Sequence, residues 1–290
     1  MPIITKEVVA TGLEVPEGPV VLPDGRVAFV QQKLGRVSAY GDGKVETISE
    51  SAGSPNAVTL GADGCLYAAQ NGGVVGDWTS ANPCAPAIER IHLDGRVETV
   101  ATQVAGIDLK APNDLVFGAD GRLYFTDPSE GYNPELRSET NRLFALGVDG
   151  GEVMIELDPS YTNGLAFHLD GRLIWVESYW RTVCALQDGR REVLATLPEM
   201  HIPDGLDVAA DGRMYITTVP SHGVTVVAPD GEYLEHLFLD DEAMPTNCCL
   251  DGNVLWITDF GAGYEDNPGR GRLWRVEVDA TGRPQTPGRA

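Results

Sequence analysis

Six oxygen-bearing side chains recur at one position of a repeated pattern. Glu17, Asn56, Asn113, Asn163 and Asp204 each stand seven residues before the Asp of an Asp-Gly pair, and Asn247 takes the same place before a shorter hairpin. Asp and Asn are poor strand formers, and polar groups without partners are costly to bury. Six of them in phase therefore point to something that binds oxygen. A hard cation is the simplest candidate, because calcium takes roughly six to eight oxygen ligands of the kind Asp, Glu and Asn supply. Glu17 and Asp204 bring two negative charges, enough to neutralise a divalent ion. No His or Cys occupies the six positions, which argues against an obligate preference for zinc. Ca2+ is the first expectation, with Zn2+, Mn2+ and Mg2+ as alternatives. The competing explanation is local: Asn and Asp before a strand also form turns and cap backbone groups. That explanation suits any one of the six better than six in register.

The elements that must carry these residues are strands. An apolar run, an Asp-Gly pair and a second apolar run with a bulky residue recur six times, as in Val20-Val21-Leu22 with Asp24-Gly25 and Val27-Ala28-Phe29. The remaining pairs are Asp63-Gly64, Asp120-Gly121, Asp170-Gly171, Asp211-Gly212 and Asp251-Gly252, spaced about 40 to 57 residues apart. Asp-Gly between apolar runs is a strong hairpin signal. A second set lies between the first, at Asp42-Gly43, Asp94-Gly95, Asp149-Gly150, Asp188-Gly189 and Asp230-Gly231. Two hairpins per repeat make four strands, and six such units predict an all-β six-bladed propeller. The first strand of each blade then lines the central channel and brings the six polar residues to one end of it.

One domain is expected over residues 1–290, with blades near 12–50, 51–102, 103–157, 158–197, 198–239 and 240–280. The last blade is completed by residues 3–11, whose Lys6-Glu7-Val8-Val9-Ala10-Thr11 resembles the fourth strand Val97-Glu98-Thr99-Val100-Ala101-Thr102. Such closure removes an exposed sheet edge. Two stacked β-sandwiches are the rival architecture, disfavoured because no linker or composition shift divides the chain. The tail from Thr281 to Ala290 reads as loose.

Composition narrows the partners. The 290 residues carry 21 Lys and Arg against 43 Asp and Glu, a net charge of −22. An acidic surface repels nucleic acid and anionic membranes, and no apolar run approaches the ~20 residues needed to cross a bilayer. Nothing in the sequence points to an obligatory protein partner. The N-terminus lacks signal-peptide order, and the five Cys show no metal-type C-x-x-C spacing. They read as reduced thiols of a cytoplasmic protein.

Pro16-Glu17-Gly18-Pro19, Pro112-Asn113-Asp114, Thr162-Asn163-Gly164 and Pro203-Asp204-Gly205 resemble the signature of the SMP-30/gluconolactonase/luciferin-regenerating-enzyme family. The resemblance spans nearly the whole chain, with the motifs in family order. It implies a six-bladed propeller with a divalent ion in the channel and, for most members, hydrolysis of lactones. Organophosphate hydrolases such as diisopropyl-fluorophosphatase share the scaffold. By this resemblance Glu17, Asn113, Asn163 and Asp204 are metal ligands, and Asn56 and Asn247 lie near enough to touch substrate or a metal-bound water. One position departs from the family: many sugar-lactonases carry an Arg two residues before the Asn matching Asn113, and here that residue is Ala111. A less polar lactone, or another ester-like electrophile, is left open.

The resulting expectation is a metal-dependent lactonase acting on a small molecule, with a phosphotriesterase-like hydrolase or a non-catalytic, metal-stabilised binding propeller as rivals. Water is the expected nucleophile, activated by the metal, by Asp204 or by another carboxylate; direct attack by an Asp is the alternative. Asp204 is the residue assigned to catalysis. No Gly-x-Ser-x-Gly supports a Ser-His-Asp mechanism, and of the scattered His only His201 stands close to a ring residue. Loops between second and third strands open on the ion's face and are expected to build the pocket. An aromatic wall of Trp78, Tyr132, Tyr179 and Trp180 is expected there to bind substrate.

Overall fold

The structure, a computed structural model, describes residues 4–75, 78–135, 137–264 and 267–290. Its repeating unit begins with turns that the sequence makes locally. Asp24 Oδ1 accepts the backbone N–H of Arg26 at 3.1 Å, Gly25 adopts φ +84°, and Leu22 N–H closes on Arg26 O at 2.7 Å. The same arrangement recurs at Asp120-Gly121 and Asp170-Gly171. Only Gly takes such a φ without strain, and Asp supplies the short acceptor, so the dipeptide dictates the hairpin.

These hairpins build six four-stranded antiparallel sheets. Blade 1 is Pro16–Val21, Val27–Gln31, Arg36–Gly41 and Lys44–Glu50; blade 2 is Pro55–Leu60, Leu66–Gln70, Ala87–Ile91 and Val97–Ala101. Blade 3 is Leu115–Phe117, Leu123–Asp127, Asn141–Gly147 and Gly150–Leu157; blade 4 is Thr162–Phe167, Leu173–Glu177, Thr182–Gln187 and Arg190–Thr196. Blade 5 is His201–Val208, Met214–Pro220, Gly223–Val227 and Tyr233–Phe238. Blade 6 takes Pro245–Asp251, Val254–Asp259 and Gly271–Glu277, and its fourth strand is the N-terminal Thr5–Leu13, paired from Thr5 opposite Glu277 to Leu13 opposite Gly271. Residue 3, where the closing strand was expected to begin, lies outside the described residues. The chain is the six-bladed propeller that the repeat predicts. No helix among the described residues is long and apolar enough to cross a membrane.

Each blade cannot bury its own faces, so the core forms between blades. Among the described residues the buried apolar side chains fall into six clusters, one at each blade junction. The smallest, Leu13, Phe29 and Leu273, joins blade 6 to blade 1 where the N-terminal strand closes the ring. Second strands such as Val27–Gln31 are buried throughout, whereas the outer strand Lys44–Glu50 is mostly exposed.

Two sets of side chains fix the inner strands. Hydroxyls bridge one blade to the next: Thr126 Oγ1 donates to Asn163 O at 2.9 Å, Ser178 Oγ to Pro203 O at 2.7 Å, and Thr217 Oγ1 to Thr246 O at 2.7 Å. Thr246 Oγ1 completes the turn from blade 6 to Pro16 O of blade 1 at 2.9 Å. Acceptors at the ends of second strands hold the backbone just ahead of the first strands. Asp127 accepts Lys110 and Ala111 N–H at 2.9 Å each, Asp259 accepts Met244 N–H at 2.8 Å, and Gln70 accepts Ser54 N–H at 2.7 Å.

The tail corrects one expectation, since residues 281–290 are tied down. Ala210 N–H donates to Thr281 O at 2.8 Å, Arg283 Nη1 to Phe167 O at 2.6 Å and Gln285 Nε2 to Val21 O at 2.8 Å. Further on, Ala62 N–H donates to Gly288 O at 2.7 Å and Arg289 N–H to Gly121 O at 3.0 Å. With Gly282 N–H also donating to Gly252 O at 2.7 Å, the segment straps the turn end of the channel and touches all six blades. Its Gly, Pro and polar composition reads as loose only because its partners are distant turns.

Candidate functional site

At the opposite end of the channel from the strap lies a cavity of about 490 Å³ whose floor holds Glu17, Asn56, Asn113, Asn163 and Asp204. Five blades thus deliver the recurring polar position to one place. The close approach of their strands depends on small residues just after the ring. A Cβ on Gly164 would stand 2.7 Å from Asp204 O, and one on Gly18 would stand 2.3 Å from Ala57 Cα. This is the physical content of the Glu-Gly, Asn-Gly and Asp-Gly pairs: the Gly admits the neighbouring blade, and the residue before it faces the cavity.

The electrostatics are those of an acid cluster without a base. Glu17 is 2% exposed, and its carboxyl is held well above the usual range, first by burial and then by the charges of Asp204 and Asp114. Burial pushes Asp204 up to about 8, offset in part by a hydrogen bond from Asn163. No Lys, Arg or His lines the cavity among the described residues. Asn113 Oδ1 is buried without a hydrogen-bond partner, as is Gln32 Oε1. An unpaired carboxamide oxygen beside two carboxyls that resist ionisation is what a missing positive charge leaves behind. The described residues contain no cluster of three or more His, Cys, Asp or Glu placed as metal ligands. The donor set is instead two carboxylates with carboxamides, and it fits a hard, oxygen-seeking divalent cation.

Asn247 is placed differently. Its Nδ2 reaches across the channel to donate to Asp114 Oδ2 at 3.1 Å, and it lines the lower channel with Cys248 rather than the cavity. Burial pushes Asp114 up to about 6, and Leu115 N–H donates to its other oxygen at 2.8 Å. Cys248 is buried against this lower channel.

Of the four aromatics expected in the wall, Tyr132 lines the cavity and three do not. Trp78 pairs with Val75 in a two-stranded sheet separate from the six blades. Trp180 is 46% exposed and stacks under Arg137, 4.8 Å from its ring centroid. Tyr179 stands behind the wall: its hydroxyl accepts Asn133 N–H at 3.1 Å, and its ring packs 5.3 Å from Tyr132 and 5.5 Å from Tyr161. His201 is also outside the cavity, bonded to Thr225 Oγ1 at 2.8 Å and packed 4.6 Å from His236.

Tyr161 is the residue the sequence reading missed. It stands two places before Asn163 and lines the cavity, and its hydroxyl is raised by burial and by the charge of Asp204. Its backbone is left-handed, φ +53°, a conformation costing a non-glycine residue about 1 kcal/mol or more. Asn141 Oδ1 holds it there, accepting both Ser160 and Thr162 N–H at 3.1 Å. Two residues before Asn113, Asn163 and Asp204 stand Ala111, Tyr161 and Ile202, and all three line the cavity, whereas Val15 and Ser54 at the same offset in blades 1 and 2 do not. A second signal went unread. Counting eight residues past the inner Asp-Gly Asp gives Gln32, Asn71, Pro128, Ser178 and Val219, with Phe260 at the matching place in blade 6, and all of these but Pro128 line the cavity.

Comparison with known proteins agrees with this architecture. The model of the SMP-30/gluconolactonase/LRE-like region matches residues 15–281. A gluconolactonase of Zymomonas mobilis is 27% identical over 70% of this chain, which spans 60% of that relative's length. The pentonolactonase XacC of Haloferax volcanii is 28% identical, with 96% of each chain covered. A gluconolactonase structure from Xanthomonas campestris superposes with a TM-score of 0.75 at 25% identity, covering 94% of this chain and 89% of that one. The calcium-binding regucalcin of Agrobacterium tumefaciens superposes with a TM-score of 0.76 at 16% identity over 100% of this chain and 99% of its own, a likeness of fold.

Proposed function

Because the chain belongs to the SMP-30/gluconolactonase/LRE-like family, we propose that it is a divalent-cation-dependent lactonase. The observation that carries the reading is the buried, unpartnered Asn113 Oδ1 beside Glu17 and Asp204, two carboxyls that resist ionisation at the floor of an open cavity. The names of the gluconolactonase and pentonolactonase relatives supply the substrate class. Regucalcin's calcium binding supports Ca2+ as the ion.

Glu17, Asn113, Asn163 and Asp204 would hold the cation, with Asn56 beside them facing the substrate. When bound, a divalent cation polarises the ester carbonyl and stabilises negative charge on its oxygen. The other steps fall to the chain. Asp204, which lines the cavity, would take a proton from the attacking water through a carboxylate oxygen not engaged by the ion. The water oxygen bonds to the carbonyl carbon, the ring C–O bond breaks, and the proton passes from Asp204 to the departing ring oxygen. One water is consumed and one hydroxy acid leaves. Tyr132 and Tyr161, braced by Tyr179, bound the reacting space and displace water from it.

The test is acid release at constant pH from a panel of lactones, with Ca2+ and then with excess chelator. Calcium-dependent acid release is expected, together with thermal stabilisation by Ca2+ that Glu17→Gln and Asp204→Asn both diminish. Full activity and full calcium response in those variants would overturn the assignment. An ion-loaded protein that opens no lactone would overturn the function.

A further inference from the structure

The cavity is chemically two-sided at a single structural position. At the mouthward ends of the second strands stand Gln32 and Asn71 in blades 1 and 2, but Val219 and Phe260 in blades 5 and 6. The carboxamide side continues into Asn56, whose Oδ1 accepts Gln32 Nε2 at 2.9 Å. That bond fixes the Gln32 side chain, which is only 3% exposed, and leaves its buried Oε1 as an acceptor without a donor. The apolar side continues into Ile202 and Met244. Phe260 is held in place by Tyr264, with ring centroids 4.5 Å apart, and Lys33 lies over the Tyr264 ring at 5.4 Å. The volume of about 490 Å³ falls within the roughly 300–1,000 Å³ of sites that enclose ligands larger than a bare five-membered ring.

A substrate hydroxylated all round would leave the hydroxyls facing Ile202, Val219, Met244 and Phe260 against hydrocarbon, and each unmatched polar group is costly. A purely apolar substrate would leave Gln32 Oε1 unsatisfied. We infer, resting on the lactonase reading above, that the substrate is a lactone with one hydroxylated edge and one apolar substituent. The hydroxyl donates to Gln32 Oε1, and the substituent lies against Ile202, Val219, Met244 and Phe260.

The experiment measures kcat/KM of the calcium-loaded protein for γ-lactones whose side chain grows from methyl through ethyl and butyl to hexyl, with D-glucono-δ-lactone alongside. Burying each added methylene should raise kcat/KM about fourfold until the wall is covered. Phe260→Ala should reduce the hexyl-to-methyl ratio about tenfold, and Met244→Ala serves as an independent variant should the first fold poorly. Gln32→Met should reduce the preference for a ring-hydroxylated over a ring-deoxy alkyl lactone by a similar factor. Opening of gluconolactone with a flat or falling chain-length series would overturn this inference and leave the lactonase reading standing. Failure to open any lactone would overturn both. A series that rises in the parent and flattens in the variants supports the two-sided pocket.

Discussion

Replacing Gly164 by Ala puts the ring geometry to its most direct test. The new methyl would stand 2.7 Å from Asp204 O, from Gly205 Cα and from Leu206 N. Non-bonded carbon contacts settle near ~3.5 Å, so the first strands of blades 4 and 5 must part by roughly 0.8 Å. The obstructing atoms are backbone and cannot rotate aside, which places the cost near the upper end of the ~1–3 kcal/mol typical of overpacking. At roughly 2 cal/mol/K of unfolding entropy per residue, 3 kcal/mol in a chain this long lowers Tm by about 5 °C. The displaced strands carry Asn163 and Asp204, so calcium affinity should fall about tenfold or more in parallel. Gly25→Ala is the control. Gly25 has φ +84° but nothing within 4 Å of an added Cβ, so it should lose about 1 kcal/mol of stability from backbone strain and none of its calcium affinity. Chemical denaturation and calcium titration of the two variants read both quantities. A Gly164→Ala protein within 0.5 kcal/mol of the parent, binding calcium equally well, would refute the claim that inter-blade contact sets the ring.

Thr217→Val keeps the side-chain volume but leaves Gly205 N–H and Thr246 O without the hydroxyl that now serves both. A loss of about 1–3 kcal/mol is expected on denaturation, and an unchanged midpoint would remove the hydroxyl bridges from the stability argument. Asp207 accepts Leu250 and Val208 N–H, and burial pushes its carboxyl up to about 6. A raised folded-state pKa means that stability is lost as pH rises from about 4 to about 6. The stability gap between parent and Asp207→Asn should therefore change by about 2 kcal/mol over that range, and parallel pH curves would contradict it. Deleting residues 283–290 uncovers the lower channel beside Cys248 and Cys249, so labelling of these thiols by a disulfide reagent should accelerate at least tenfold; an unchanged rate would deny the strap its covering role.

What the sequence made legible was what local chemistry determines. Asp24-Gly25 and its counterparts form their turns from their own atoms, so the strand count followed, and strand alternation then carried the count from each turn back to Glu17, Asn113 or Asp204. Asn247 was harder because a shorter hairpin removes the common spacing, and its partner Asp114 is 133 residues away. Trp78 and Trp180 show the limit for loops: no periodicity fixes where an aromatic points once the strand ends. Gln32, Asn71, Ser178 and Val219 stood at a regular spacing all along, yet each looks like an ordinary strand terminus until the blades are superposed. The clamps at Asp127 and Asp259 are invisible for a related reason, since a buried carboxylate receiving backbone N–H groups looks in sequence like any acidic loop residue.

The segment that seals the turn end of the channel has a kinetic corollary. Among the described residues the strap lies across the turn end of the propeller axis, and the cavity of the ring residues opens at the other end. On the proposed lactonase reading, incoming lactone and outgoing hydroxy acid would share that opening, so the acid formed in each cycle would have to clear before the next ring enters. Competitive inhibition by product would follow from that shared opening. Against it would work the protein's own net charge of −22, which repels a carboxylate product while leaving an uncharged lactone free to approach.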